Sequence, residues 1–388
     1  MENVIIVGNV AEDPFAIDVG HTFGQEADLS DIISLKNFAN GEFCPRFISD
    51  ETDLTRIGEK LQGCTVVIVS ANSDSHSRQS LAMRNFLIAR AAKDNGAAKV
   101  ILVEPDLFYS AQDRGPRTEH GRTASPRDEK DLKKFDGQPF SSFMYAQLLK
   151  AAGVDGVVTI HNHSHSVQDV FRTIFAGDFV NLRPIELYAH YLKNSDMVDT
   201  GVDGSNLVFC APDKGALEFV EQMHKEMGLS GLGLCKMSKE RTGERKVEIQ
   251  VAADSPVSLA ELEGKDIVVF DDMVRTGSTI VKCCQALKLG KPRRILFCVS
   301  HFYSSEEGRE NMAAGVIDEI LTLNTLPTIL NRDTQGRLRK KMVVLKIEKW
   351  ISRHLRSYFG QDIGKLEQDF YSVDMSSKNP RWKGSSRV

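Results

Sequence analysis

The chain has 388 residues, 41% hydrophobic and 26% charged, a composition that suits a folded protein of two or three domains with sizeable cores. Its formal net charge of −4 gives no global basic field to draw nucleic acid, which excludes that class of partner. The opening apolar stretch, Val4-Ile5-Ile6-Val7, is far too short for a signal peptide or a membrane span. The seven cysteines, Cys44, Cys64, Cys210, Cys235, Cys283, Cys284 and Cys298, are odd in number and show no CxxC spacing. That pattern predicts reduced, mostly buried thiols in a cytoplasmic protein. Basic residues crowd the stretch from Arg332 to Arg387, which reads as a solvated basic face.

In chain order, Val66-Val67-Ile68-Val69-Ser70 is a buried-strand pattern. A helical pattern follows from Leu81 to Lys93, with Met83, Phe86, Leu87 and Ala91 at 3-4 spacing. Asn95-Gly96 closes that helix, and Lys99 to Val103 is the next strand. Ala146 to Ala152 ends a helix, and Gly156 to Ile160 begins another strand. The second half repeats the rhythm: strand Leu207–Cys210, helix Gly215–Met227, strand Leu232–Cys235, strand Asp266–Phe270, helix Ser278–Leu289 and strand Arg294–Val299. This βαβ alternation predicts α/β domains with mostly parallel sheets covered on both faces. The expected division is 1–175, 176–330 and a C-terminal extension at 331–388, with a joint near 170–185. Residues 114–140 are polar and charged and read as a mobile loop. In the extension, Ile347 to Phe359 reads as helical, and Ser376 to Val388 as disordered.

The strongest signal is Asp271-Asp272-Met273-Val274-Arg275-Thr276-Gly277-Ser278-Thr279. An apolar strand ends in two acids, and Thr-Gly-Ser-Thr then opens a helix. Hydroxyls and unpaired N–H groups at a helix start cradle a phosphate. Gly277 permits close backbone approach, and Asp271 and Asp272 are placed to accept hydrogen bonds from vicinal ribose hydroxyls. The carboxyl end of a strand is where open α/β sheets bind ligands. The plainer reading is an Asp-rich turn with a capped helix, but the whole block points to a sugar phosphate.

This block resembles the phosphoribosyl-pyrophosphate loop of the type I phosphoribosyltransferase fold, shared by phosphoribosyltransferases and ribose-phosphate pyrophosphokinases. Further segments resemble the pyrophosphokinases. Asn37-Phe38-Ala39-Asn40-Gly41-Glu42 is similar to their adenine-binding hairpin, where Phe38 would stack on the base and Asn40 and Glu42 would read its edge. Glu104 to Arg114 is similar to the segment that lines the ATP site, with Gln112 and Asp113 matching. His163, with Gln168-Asp169-Val170-Phe171, matches a His-bearing strand end. Ala211-Pro212-Asp213-Lys214-Gly215 matches a Pro-Asp turn, and Ser238-Lys239-Glu240-Arg241 a flexible catalytic loop. Val299–Phe302 and Thr322–Pro327 fit the end of the fold. The resemblance runs from about residue 35 to 328 and omits the insert and the tail.

The resemblance implies two similar phosphoribosyltransferase-type domains. It also implies transfer of a pyrophosphoryl group from ATP to the C1 hydroxyl of ribose 5-phosphate. Lys239 and Arg241 would stabilise the migrating charge. Asp271, Asp272, Thr276, Gly277, Ser278 and Thr279 would bind ribose 5-phosphate, and Phe38, Asn40, Glu42, Gln112, Asp113 and His163 would bind ATP. His163 and Asp213 would hold Mg²⁺, partly through water. A homo-oligomer is implied as well, with no membrane or nucleic-acid partner.

Plainer readings stand beside these. His161, His163 and His165 alternate as a transition-metal site would, Lys239 and Arg241 sit in a charged loop, Phe38 fits a core, and Asp213 fits a turn before Gly215. Three positions depart from the family pattern. Ala111 stands where an arginine precedes the glutamine, His161 where an acid precedes His163, and Arg275 where an acid precedes Thr276. The open alternatives are a phosphoribosyltransferase that consumes phosphoribosyl pyrophosphate, a non-catalytic regulatory relative, and a metal hydrolase built on the three histidines.

Overall fold

The computed structural model of the protein describes residues 3–48, 54–123, 126–241 and 247–383, with the backbone alone at 239–241, 247 and 248. Two compact units emerge: Met1–Leu182 with Glu348–Phe370, and Arg183–Ile347 with Tyr371–Val388.

The first unit contains β1 (Val4–Gly8), β2 (Ile33–Asn37), β3 (Phe43–Phe47), β4 (Thr65–Val69), β5 (Lys99–Val103), β6 (Gly156–Ile160) and β7 (Phe179–Leu182). Its main sheet has the order β1-β4-β5-β6-β7, and each pairing is parallel. Parallel strands must be covered on both faces, which is why β4 is buried along its whole length. The helix Arg78–Asp94 begins at Ser77, whose side chain accepts from Ser80 N–H, and its Leu81, Ile88, Ala89 and Ala92 join Val66, Ile68, Val100 and Leu102 in one core. β2 and β3 form a separate antiparallel hairpin.

The second unit contains β8 (Leu207–Ala211), β9 (Gly233–Arg241), β10 (Val247–Val251), β11 (Asp266–Val274), β12 (Arg294–Phe302), β13 (Glu319–Leu323), β14 (Met342–Lys346) and β15 (Ser372–Met375). The eight-stranded order is β10-β9-β8-β11-β12-β13-β14-β15. Pairing is parallel except at the two edges, β10 with β9 and β14 with β15. β8 and the Ile267–Phe270 part of β11 pair inside the sheet and are buried and apolar without alternation. The α/β fold with mostly parallel sheets therefore follows the strand rhythm in both units.

The structure corrects two readings of the irregular stretches. Residues 331–388 are not one appended segment. Met342–Leu345 is fully buried and extends the second sheet as β14 beside β13. The helix Glu348–Tyr358 belongs to the first unit, where Ser352 Oγ donates to Val19 O at 2.9 Å and Arg356 donates to Phe23 O at 2.7 Å. Burial of the apolar face of each element drives both placements. Residues 114–140 are not a structureless loop either. Glu129–Lys134 is a short helix, and the buried Arg127 guanidinium donates to the carbonyls of Gly115, Arg117 and His120 and to the Asp131 carboxylate.

Candidate functional site

In the second unit β11 runs past Phe270 to Val274, so Asp271 and Asp272 lie within the strand, beside β12, rather than in a turn. The chain then turns through Arg275 and Thr276 to Gly277, which has φ +76° and ψ 0° and stands at the N-cap of the helix Ser278–Lys288. No side chain caps this helix, so its first N–H groups are presented at the loop, where an anion gains from both hydrogen bonds and the helix dipole. Thr276, Ser278 and Thr279 are exposed around them. A Cβ at position 277 would stand 2.4 Å from Met312 Cε, so glycine is demanded by conformation and by space.

The loop is braced by residues that the sequence did not single out. Ser305 Oγ donates to Arg275 O at 2.8 Å, and Asn311 Nδ2 donates to Thr276 O at 2.8 Å. Ser305 also caps the helix Glu306–Met312 by accepting from Gly308 N–H. The one available signal was local: a Ser before two glutamates marks a helix start. The Arg275 guanidinium lies 5.7 Å from the centre of the Tyr303 ring. Arg275 is exposed and leaves the backbone path of the loop intact.

Acidic groups gather at this edge of the sheet. Burial, and then the neighbouring Asp272 and Asp213 carboxylates, push the Asp271 carboxyl well above its usual range. Asp272 N–H donates to Asp271 Oδ1 at 3.0 Å. Asp213 follows β8 and accepts from Gly215 N–H at 3.0 Å and Ala216 N–H at 3.3 Å, so the turn that the plainer reading assigned to it is present. Its electrostatic influence on Asp271 links it to the loop as well. Carboxylates set so close to a buried Asp271 offer oxygen donors of the kind that a hard cation prefers.

The structure thus brings Asp213, Asp271, Asp272, Thr276, Gly277, Ser278 and Thr279 to the carboxyl edge of one sheet. Lys239 and Arg241 lie on β9, paired with Ile249 and Val247 of β10; their side chains fall outside the described residues.

The first unit holds the other expected group. The β2–β3 hairpin closes through Phe38 N–H to Glu42 O at 2.8 Å, with Gly41 at φ +86° and Asn40 Oδ1 accepting from Glu42 N–H at 3.1 Å. At its tip Phe38 is 47% exposed, not the core residue that its type suggests, with Lys36 Nζ 5.5 Å from its ring centre. Asn40 and Glu42 are also exposed.

Gln112 and Asp113 follow β5, and His163 follows β6. Asp113 and the His163 loop are joined: Ser164 Oγ donates to Asp113 Oδ2 at 2.8 Å, and Ser166 Oγ to Asp113 O at 2.7 Å. His163 is exposed, whereas His161 is buried at φ +46°. The alternation of histidines therefore does not build one cluster, and no metal-holding group of three His, Cys, Asp or Glu residues occurs among the described residues. Arg114, the nearest candidate to replace the arginine missing at Ala111, is committed elsewhere. It binds Asp113 and Asp131 and stacks 4.7 Å from the Phe135 ring centre.

Among the described residues no helix is long and apolar enough to cross a membrane, and all seven cysteines are free thiols, six of them buried.

The chain is similar to known proteins. The family model of the phosphoribosyl transferase domain matches residues 187–327. The chain is similar to the ribose-phosphate pyrophosphokinase of Aeropyrum pernix, 27% identical over 284 residues that cover 73% of this chain and 79% of that protein. It is also similar to that of Mycobacterium leprae, 26% identical over 324 residues that cover 84% of each. Among solved structures, the phosphoribosylpyrophosphate synthetase from Mycobacterium smegmatis aligns with a TM-score of 0.69 at 21% identity, over 92% of this chain and 99% of that one. That likeness carries a shared fold across nearly the whole chain.

Proposed function

We propose that the chain is a ribose-phosphate pyrophosphokinase, which transfers the β,γ-pyrophosphoryl group of ATP to the C1 hydroxyl of ribose 5-phosphate. The C1 oxygen forms a bond to the β-phosphorus, the bond from that phosphorus to the α-phosphate oxygen breaks, the hydroxyl proton is released, and AMP leaves. The observation that carries the reading is the Asp271–Thr279 block, with an uncapped helix start, an obligatory glycine and two strand-end carboxylates at one sheet edge.

The residues divide by chemistry. The N–H groups at Ser278 and Thr279, with the Thr276 and Ser278 hydroxyls, hold the 5-phosphate. Asp271 and Asp272 accept from the ribose hydroxyls and fix the sugar, so that orientation supplies much of the rate. Phe38 offers an exposed ring to the adenine, and Asn40 and Glu42 offer polar groups to its edge. Gln112, Asp113 and His163 serve the phosphate side of ATP. Asp113 acts largely by holding the loop that bears His163. Lys239 and Arg241 neutralise the charge of the migrating group.

The family reading implies Mg²⁺, with His163 and Asp213 as the residues that would hold it, partly through water. When bound, the ion neutralises phosphate charge and polarises the phosphorus centre under attack. Free thiols suit a reducing cytoplasm. The exposed hairpin tip supports assembly into a homo-oligomer in which a neighbouring copy would cover it.

A non-catalytic relative gains support from one observation, the absence of a cation at Ala111 while Arg114 is engaged in its own ion pairs. Incubation with ATP, ribose 5-phosphate and Mg²⁺ separates the two. Release of AMP in step with phosphoribosyl pyrophosphate supports the enzyme, and ribose 5-phosphate binding without AMP supports the relative.

A further inference from the structure

At the carboxyl end of β5, in the first unit, a carboxyl group is sealed from solvent. Glu104 is 0% exposed, and four donors converge on it. Phe108 N–H donates to Oε2 at 2.8 Å. Tyr145 Oη, Asn85 Nδ2 and Ser70 Oγ lie 2.9, 3.1 and 3.3 Å from Oε1. Asn9 extends the network, with its Nδ2 2.8 Å from Ser70 Oγ and 2.9 Å from Asn85 Oδ1. Burying such a carboxyl is expensive, and apolar side chains of similar volume fill a core at lower cost. Stability alone does not account for it.

Its location does. From Glu104 the chain leads directly to Gln112 and Asp113, and on the way Tyr109 adopts φ +59°, a region costly for an aromatic L-residue and held only by its surroundings. Those surroundings are Tyr145. The Tyr109 ring packs 5.3 Å from it and the Phe108 ring 6.3 Å. The helix that bears Tyr145 also grips the far end of the segment. Ser141 Oγ donates to Gln112 Oε1 at 2.5 Å, and Ser142 N–H to Gln112 O at 3.3 Å. Ser141 and Tyr145 are one helical turn apart on the same face. One helix therefore clamps the segment at two points, through Gln112 directly and through Glu104.

We propose that Glu104 is a positioning residue for nucleotide binding, which holds Phe108 N–H and the Tyr145 hydroxyl so that the strained turn at Tyr109 delivers Gln112 and Asp113 in register. The inference rests on the ATP-dependent reading given above. Burial pushes this carboxyl up to about 8, against the pull of Phe108 N–H, Tyr145 and Arg78 and with a small push from Asp106. The facing groups are Ser70 on β4, Asn85, Tyr145 and Tyr109, and the Arg78–Asp106 ion pair, in which Arg78 lies 5.2 Å from the Phe108 ring centre. Its ionisation thus falls near working pH.

The test uses the full chain and the variants Glu104→Gln, Glu104→Leu and Tyr145→Phe, with kcat and both KM values followed from about pH 6.5 to about pH 9. Glu104→Leu is expected to raise the ATP KM by about tenfold while the ribose 5-phosphate KM stays within about twofold. Tyr145→Phe shifts the ATP KM in the same direction by less. An inflection near pH 8 in the wild-type ATP KM disappears in Glu104→Gln. A folded Glu104→Leu protein with an unchanged ATP KM, or with both KM values raised equally, overturns the proposal. If Glu104→Leu does not fold, Tyr145→Phe carries the test, since it removes one hydroxyl and keeps the ring. Wild-type protein that forms no AMP would count against the catalytic reading instead. The clamp is then read by amide hydrogen exchange of residues 105–113, where Tyr145→Phe must lose protection, and unchanged protection overturns the proposal.

Discussion

Replacing Gly277 by alanine probes the sugar-phosphate loop at its tightest point. The residue has φ +76°, where an L side chain costs roughly 1–2 kcal/mol. The new Cβ would lie 2.4 Å from Met312 Cε and 3.4 Å from Val274 Cγ2. Met312 is itself buried in the core, so its flexible end can yield only by repacking against its neighbours, and overpacking of this kind costs roughly 1–3 kcal/mol. Together these predict a loss of about 2–5 kcal/mol. Part of the strain will be relieved by moving the loop, which displaces the helix N–H groups from the phosphate. Urea unfolding measures the first effect, and titration calorimetry with ribose 5-phosphate measures the second, expected as at least about tenfold weaker binding. Gly277→Asn separates the contributions, because asparagine tolerates the backbone angle better but carries the same Cβ. A Gly277→Ala protein within about 0.5 kcal/mol of wild type, with unchanged affinity, would refute the reasoning.

Asp271→Asn replaces a carboxyl whose ionisation is disfavoured by burial and by Asp272 and Asp213, so in metal-free buffer it should remove the loss of melting temperature that ionisation brings as pH rises, while abolishing ribose 5-phosphate binding. A destabilised variant that still binds would contradict the assignment. Glu104 should give a pH-dependent stability. Its carboxyl is raised from 4.5 to about 8, so the native state holds the proton more tightly than the unfolded chain. Stability then falls as pH rises from about 4.5 to about 8, by at most roughly 5 kcal/mol, and this slope should be missing from melts of Glu104→Gln. Phe38→Ala should leave stability within about 0.5 kcal/mol, since the ring is half exposed, yet raise the ATP KM several-fold through lost stacking. An unchanged KM would remove Phe38 from the nucleotide site.

The parallel sheets were legible because strands buried on both faces are written as unbroken apolar runs, such as Val66–Val69 and Val100–Val103. The Asp271–Thr279 block was legible because its chemistry is contiguous: strand, acids, glycine and helix start follow one another. The limits of that strand were not, because Asp271–Val274 keeps its sheet pairing to β12 despite its polar residues. The tail was misread for a related reason. Met342–Leu345 is a short apolar run behind the basic Arg337, Arg339, Lys340 and Lys341, and its partner β13 lies well upstream. Arg127 has a readable partner in Asp131 four residues on, but nothing local showed that it would knit the insert through the carbonyls of Gly115, Arg117 and His120. Glu104 shows the same limit most clearly. Asn9, Ser70, Asn85 and Tyr145 are scattered along the chain, and only the fold brings them to one carboxyl.

The central claim is tested most directly by incubating the 388-residue chain with ATP, ribose 5-phosphate and Mg²⁺ and following both products, alongside the Lys239→Ala, Arg241→Ala double variant. The account predicts AMP and phosphoribosyl pyrophosphate in equal amounts from the wild type, with both lost in the variant while ribose 5-phosphate still binds. Undiminished ribose 5-phosphate binding by the wild type without any AMP would contradict it.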